Sequence, residues 1–400
     1  MMATGQQVYL NAVSAISALG ASAEDMRAAL FADVDPKTLR VTEQYSPGRA
    51  LALGCLPDDV VLPALDFAVP AQRSRNNALA WAAMLPLRSQ VDALLSRFGA
   101  ERVALIVGTS TGGLDEGSHA ADVHRQTGQF PQGFDYTVQE LGDVAAFLAR
   151  SLGIKGPVHS TSTACSSGAK ALASGARLLR SGMVDAVIAG GVDALSPFTV
   201  AGFSALEAVS AERCNPLSAH RHGINLGEAA AFFVMTCDEA PVRLAGWGES
   251  QDAHHMSAPD PSGRGAISAM QQALDRAGMQ AAQVDYVNLH GTATPHNDAM
   301  ESLAVHALIG TSAAVSSTKP LTGHALAAAG ALEAAICWHV LNDNPQGRLP
   351  AHWWDGAADA ALPALNIAGP QSALGRNARA VLSNSFAFGG SNCALLFAAG

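Results

Sequence analysis

The run Ser160-Thr161-Ser162-Thr163-Ala164-Cys165-Ser166-Ser167-Gly168-Ala169-Lys170-Ala171-Leu172 places a cysteine where a strand turns into a helix. Gly156 to His159 reads as the strand, and a helical pattern runs from Ser166 to about Arg180. At a helix N-terminus the unpaired N–H groups and the dipole favour the thiolate, the nucleophilic form of cysteine. The helix is built from small residues (Gly168, Ala169, Ala171, Ala173, Gly175, Ala176), so it suits burial on all sides. A lone cysteine is more often a small buried hydrophobe than a nucleophile, and its partners must decide.

Candidate partners lie downstream in three clusters: Asn288-Leu289-His290-Gly291-Thr292-Ala293-Thr294-Pro295, Ser317-Thr318-Lys319-Pro320-Leu321-Thr322-Gly323-His324, and Asn384-Ser385-Phe386-Ala387-Phe388-Gly389-Gly390-Ser391-Asn392. Each follows a stretch that reads as a strand, so all are expected at one edge of the sheets, where open α/β folds place their sites. His324 opens a second Ala/Gly-rich helical pattern, to about Leu341, that mirrors the one behind Cys165.

These motifs, in this order, resemble those of the β-ketoacyl-[acyl-carrier-protein] synthases, condensing enzymes of the thiolase superfamily. The resemblance implies an α/β, duplicated thiolase-like fold in five layers (α-β-α-β-α). It also implies decarboxylative Claisen condensation, with Cys165 accepting an acyl chain from an acyl carrier protein, His290 and His324 completing the catalytic set, and Lys319 supporting it. The backbone N–H groups of Cys165 and Phe388 are implied as the oxyanion hole, and Thr292 and Thr294 as partners of the pantetheine arm. Thr111 and Phe386 fall at positions implied to line the substrate path, and Asp298, Glu301 and Glu333 at supporting ones. For Asp298 and Glu301 a solvated helix face is the even alternative. No resident cofactor and no metal are expected, since the phosphopantetheine travels on the carrier protein. The implied assembly is a homodimer, or a heterodimer with a chain-length-factor-like subunit.

Some positions depart from the family pattern. Asn215-Pro216-Leu217-Ser218 stands where many members have Arg-Pro-Phe-Asp, and Arg221-His222-Gly223 replaces Arg-Asp-Gly. Ala387 replaces a glycine, and strain is expected if that position needs a positive φ. The segment from Gly223 to Phe232 is similar to the synthases of aryl-polyene pigment clusters, which favours a secondary pathway over housekeeping fatty-acid synthesis. Two rivals stand beside this reading. Gly108-Thr109-Ser110-Thr111-Gly112 fits the G-x-S-x-G turn of a serine hydrolase using Ser110. A non-catalytic chain-length partner would share the fold but lack the nucleophile.

The elements that must position these residues alternate between strand and helix. Strands are expected at Val8–Ala18, Arg102–Val107, Ala186–Ala189, Glu228–Thr236, Val242–Trp247, Val284–Leu289, Ala314–Ser316, Ala380–Ser383 and Cys393–Phe397. Helices are expected at Ser22–Phe31, Arg73–Phe98, Leu114–His124, Val138–Leu152, Gly265–Gly278 and Asn297–Ile309. Asp193 to Asn225 reads as a long loop. The order repeats, which divides the chain into 1–240, carrying the nucleophile, and 241–400, carrying the two histidines.

Composition bounds the function. With 400 residues, 49% hydrophobic and 14% charged, the chain can bury a large interior. A net charge of -10 argues against nucleic acid or an anionic membrane as a partner. Six cysteines, scattered without a Cys-x-x-Cys pair, signal neither zinc nor a disulfide framework, and fit a reducing cytoplasm. No stretch reaches the roughly 20 apolar residues of a membrane span. The apolar N-terminal segment lacks the preceding Lys or Arg of a signal peptide, and Ser22-Ala23-Glu24-Asp25 reads as a helix cap.

Overall fold

The computed structural model describes residues 6–400. Among them, eleven strands form one mixed sheet, in which the same five-strand pattern occurs twice. In the first, Val158–Thr161, Val103–Gly108 and Ala186–Asp193 run parallel, followed by Ala229–Thr236 and Tyr9–Ile16, antiparallel. In the second, Ala314–Ser316, Tyr286–Asn288 and Ala380–Ala387 run parallel, followed by Ser391–Ala399 and Val242–Gln251. A single residue pair, Tyr9 with Arg243, joins the two patterns. Asn366–Ile367 adds an edge strand to the second.

Alternation along the buried strands divides the interior into layers. Val103, Leu105 and Val107 face an outer core with Leu79 and Phe147, whereas Ala104 and Ile106 face a central core. The central core is filled by two helices, Ser167–Arg180 and Ala329–Leu341, and closed on its far side by Val381, Leu395 and Phe397. Val287, Leu382 and Leu396 point outward to a third core beneath the helices Arg264–Ala277 and Pro295–Leu308. The result is helix, sheet, helix, sheet, helix, the expected five layers. A strand buried on both faces carries an uninterrupted apolar run, which explains Val103-Ala104-Leu105-Ile106-Val107.

The two central helices touch through glycine. A Cβ on Gly330 would stand 2.9 Å from the Cβ and N of Ala169, and one on Gly168 would stand 2.8 Å from the Ala327 carbonyl and the Ala331 amide. Small residues are therefore required at the crossing, not merely tolerated.

Several boundaries differ from expectation for local reasons. Arg73–Phe98 is two helices, Arg75–Met84 and Arg88–Phe98, separated by a 3-10 turn at Pro86, which has no N–H to continue the ladder. The strand before the nucleophile is Val158–Thr161, two residues later than expected, after Pro157. Ala186–Asp193 continues through Gly190-Gly191 rather than ending there; a Cβ on Gly190 would strike the Ala231 carbonyl at 2.0 Å, so glycine permits the pairing. The long loop after Asp193 contains the helix Pro197–Ala205, started by the Ser196 cap. Leu326–Ala328 is a 3-10 turn and the α-helix begins at Ala329, so His324 precedes the helix instead of opening it. The Ser22 cap is present, its oxygen accepting the Asp25 N–H at 3.1 Å.

Candidate active site

Cys165 lies between Ala164, whose φ of +51° is left-handed, and Ser166, the cap of the helix Ser167–Arg180. Left-handed backbone at a non-glycine residue is costly and persists only where neighbours enforce it. Here Ser167 Oγ donates to the Ala164 carbonyl at 2.6 Å and accepts the Thr163 N–H at 2.8 Å, while Ser166 Oγ donates to the Thr163 carbonyl at 2.9 Å. The turn aims Sγ at His324 Nε2, 3.0 Å away.

The partners arrive from the second sheet pattern. Asn288, Ser316 and Ser383 are aligned across three parallel strands, so the segments that follow emerge on one side, as expected. His290 and His324 meet edge to face with centroids 5.3 Å apart, and one ring nitrogen of each and Cys165 Sγ all lie within 4.8 Å of one another. Phe386 packs edge-on against His290 from within its strand rather than from a loop. Lys319, only 1% exposed, donates Nζ to the His290 carbonyl and to Glu333.

The carboxylates Asp298 and Glu301 do not form a solvated face; both are fully buried. Glu301 accepts the His290 and Gly291 N–H groups at 2.8 and 2.7 Å. Asp298 accepts the N–H groups of Leu217 at 2.8 Å and Ala293 at 3.2 Å. Together they fasten the turn that carries His290. Burial pushes the Glu301 and Glu333 carboxyls up to about 7, against the pull of these N–H groups and of Lys319 respectively.

Electrostatics correct one expectation. Burial pushes the Cys165 thiol up to about 12, outweighing the Lys319 charge and the Phe388 N–H, which pull it down. The resting group is therefore the thiol and not a preformed thiolate. Both imidazoles are held well below the ordinary histidine value, by burial first and Lys319 second, and so are neutral. The Nδ1 atoms of both rings are buried without a protein partner, so no protein contact at Nδ1 fixes either tautomer.

A cavity of about 510 Å³ opens above Cys165, lined by both histidines, Thr292, Thr294, Phe386 and Phe388. Thr292 and Thr294 share a hydroxyl hydrogen bond of 3.0 Å at its wall. Thr111 is not among the lining residues: its hydroxyl is bound to Asp193 at 3.0 Å. Ala387 carries no strain, its φ being -102°; Gly389 and Gly390 take the positive φ angles of that turn instead. Ser110 does not form a hydrolase site. Its hydroxyl donates to Asp193 at 2.5 Å, and among the described residues no histidine hydrogen-bonds to it.

Two positioning contacts lay outside the sequence expectations. The His324 N–H donates to the Asn225 carbonyl at 2.6 Å, which ties the histidine to the first sheet pattern's loop. Asp193, buried at the end of an otherwise apolar strand, collects hydrogen bonds from both halves of the fold. A single acid closing such a strand was the available signal.

Similarity to known proteins agrees with this geometry. Residues 70–240 match the Beta-ketoacyl synthase, N-terminal domain, and residues 242–346 match the Beta-ketoacyl synthase, C-terminal domain. The chain belongs to the β-ketoacyl synthase family of condensing enzymes. A 3-oxoacyl-[acyl-carrier-protein] synthase 2 of Rhizobium meliloti (strain 1021) is 38% identical over 272 residues, 61% of each chain. One from Synechocystis sp. (strain ATCC 27184 / PCC 6803 / Kazusa) is 31% identical over 76% of each. Among solved structures, a ketosynthase (ApeO) in complex with its chain length factor (ApeC) from Xenorhabdus doucetiae superposes with a TM-score of 0.91 at 42% identity, covering 99% of this chain and 98% of that one.

Proposed function

We propose that this protein elongates carrier-bound acyl chains by decarboxylative condensation, with Cys165 as the acyl acceptor. The observation that carries the reading is the neutral pair of imidazoles beside a buried thiol, His324 Nε2 lying 3.0 Å from Sγ. In the first half-reaction Sγ attacks the acyl thioester carbonyl, the thiol proton passes to His324 Nε2 and stays there while the Nδ1 proton is released to solvent, and the carrier thiolate leaves, taking up a proton from solvent. The backbone N–H groups of Phe388 and Cys165 hold the oxyanion.

In the second half-reaction the malonyl C–C bond breaks, CO₂ leaves, and its electron pair becomes an enolate. Nε2–H groups of His290 and His324 stabilise the enolate oxygen; each donor of this kind contributes roughly 10²-fold to 10³-fold in rate. The enolate carbon then attacks the acyl-Cys165 carbonyl and expels the thiolate, which is reprotonated. Lys319 orients His290 through its carbonyl, and Thr292 and Thr294 receive the pantetheine arm. No other cofactor is needed.

The working unit is a dimer, and the likeness to the ApeO–ApeC complex favours a chain-length-factor-like partner and an aryl-polyene type of chain. Among the described residues Val158–Thr161 ends the sheet order with one side unpaired, a ready edge for a partner's strand. Among the described residues no helix is long and apolar enough to cross a membrane, and all six cysteines are free, which supports a cytoplasmic site of action. A non-catalytic partner role is disfavoured by the intact Cys165, His290 and His324.

The test is intact-protein mass spectrometry after incubation with acyl-carrier protein, with and without a co-expressed partner subunit. An acyl increment on Cys165, absent in Cys165→Ala, is expected. Equal acylation of the alanine variant would overturn the mechanism.

A further inference from the structure

Asp193 lies outside the cavity above Cys165, yet it is fully buried and accepts six hydrogen bonds. Its Oδ1 takes the Ser110 and Thr111 N–H groups at 2.8 and 3.0 Å, and the Thr109 and Thr111 hydroxyls, both at 3.0 Å. Its Oδ2 takes the Ser110 hydroxyl at 2.5 Å and the Ala327 N–H at 2.7 Å. The first five donors belong to the turn after Val103–Gly108, in the pattern that carries Cys165. The sixth belongs to the other half, three residues beyond His324.

The segment it grips is under backbone strain. Leu326 has a φ of +48°, left-handed for a branched side chain with no special tolerance of it. Such a conformation costs of the order of 1–3 kcal/mol and must be held by its surroundings. The Ala327 N–H on Asp193 fastens it on one side, and the His324 N–H on the Asn225 carbonyl fastens it on the other. The imidazole of His324 hangs between these two anchors.

We infer that Asp193 is a positioning residue: its carboxylate spans the two halves of the fold and sets the distance between His324 Nε2 and Cys165 Sγ. The inference rests on the His324–Cys165 pairing proposed above. It predicts a specific failure in Asp193→Asn. The Oδ1 position faces two fixed N–H groups, so the new amide must turn its NH₂ toward Oδ2, opposite the Ala327 N–H. Two donors then oppose each other, the Leu326 turn relaxes, and His324 leaves Sγ.

Two effects of this substitution have opposite signs, and that makes the test decisive. The groups acting on the thiol are His324, Lys319, the Phe388 N–H, Glu333 and Asp193, with His290 beside them; the Asp193 charge disfavours the thiolate. Removing that charge alone would lower the thiol and speed alkylation. Displacing the base would slow it. The experiment is the pH profile of Cys165 alkylation by iodoacetamide, read by peptide mass spectrometry. It needs no carrier protein, and so reports on Asp193 even if condensation is absent.

The expected result for folded Asp193→Asn is at least fivefold slower alkylation at pH 7, together with at least a tenfold loss of condensation kcat and a KM within about twofold. Alkylation equal to or faster than that of the unsubstituted protein would overturn the inference. If Asp193→Asn does not fold, the double variant Ser110→Ala, Thr111→Val removes two hydroxyl anchors and keeps the charge. A twofold or greater slowing then supports the inference, and an unchanged rate rejects it.

Discussion

At Cys165, burial and hydrogen bonding pull in opposite directions, and burial wins: the resting thiol keeps its proton until a thioester arrives and His324 takes it. The same burial keeps His290 and His324 neutral. An ordinary imidazole near pKa 6.5 would lose about tenfold of its neutral form between pH 7.5 and pH 5.5. These two, lowered well below that value, retain it over the same window. Malonyl-thioester decarboxylation by Cys165→Ala, in which only the histidine pair is under test, should therefore change less than about twofold from pH 7.5 to 5.5. A tenfold fall centred near 6.5 would show that the histidines titrate as exposed ones do. In the same assay, His290→Ala or His324→Ala should lower the rate by about 10²-fold or more.

Among the elements, the crossing of Ser167–Arg180 over Ala329–Leu341 sets a close limit on side-chain size. Gly330→Ala adds one methyl 2.9 Å from Ala169 and should cost about 1–3 kcal/mol in denaturant unfolding, because neither helix backbone can retreat from a sheet-lined core. An unchanged midpoint would mean that the helices slide freely. This level was partly legible from sequence. The Ala and Gly content of both helices announced burial, complete around nearly all of Ala329–Leu341 but leaving Arg177 of Ser167–Arg180 exposed, and strand ends announced where His290 and Lys319 would emerge. What stayed hidden depended on tertiary cover. Asp298 and Glu301, three apart on a helix, look like a solvent face until the Leu217 loop and the His290 turn are laid over them. Pro197–Ala205 has a cap and an initial proline, but its apolar residues form no stripe, so periodicity could not separate it from a loop. The Pro86 break lay in plain view inside a helical pattern. The thiol's raised pKa was invisible because a helix cap can be read from letters and the depth of burial cannot.

For the whole molecule, buried histidines couple stability to pH. His339, enclosed in Ala329–Leu341, is lowered to about 4 by burial and by Arg27. The unfolded chain takes up a proton there below about pH 6.5 and the folded one does not until about pH 4. Stability contributed by this site is thus lost as pH falls from 6.5 to 4. His339→Leu should remove up to about 2 kcal/mol of the difference in unfolding free energy between pH 7 and pH 5. An unchanged difference would place the proton uptake elsewhere.

The pairing of one central helix from each half also imposes an order in time. Cys165 and His324 are 159 residues apart, and at ~5–20 residues per second about 8–30 s of synthesis separate them. Through that interval the small-residue helix behind Cys165 has no partner to cross, and the thiol has neither its base nor its cover. A nascent chain held by a ribosome after residue 240 should carry an inert cysteine, and the enzyme becomes chemically competent only when the part beyond residue 240 closes over the part that carries Cys165.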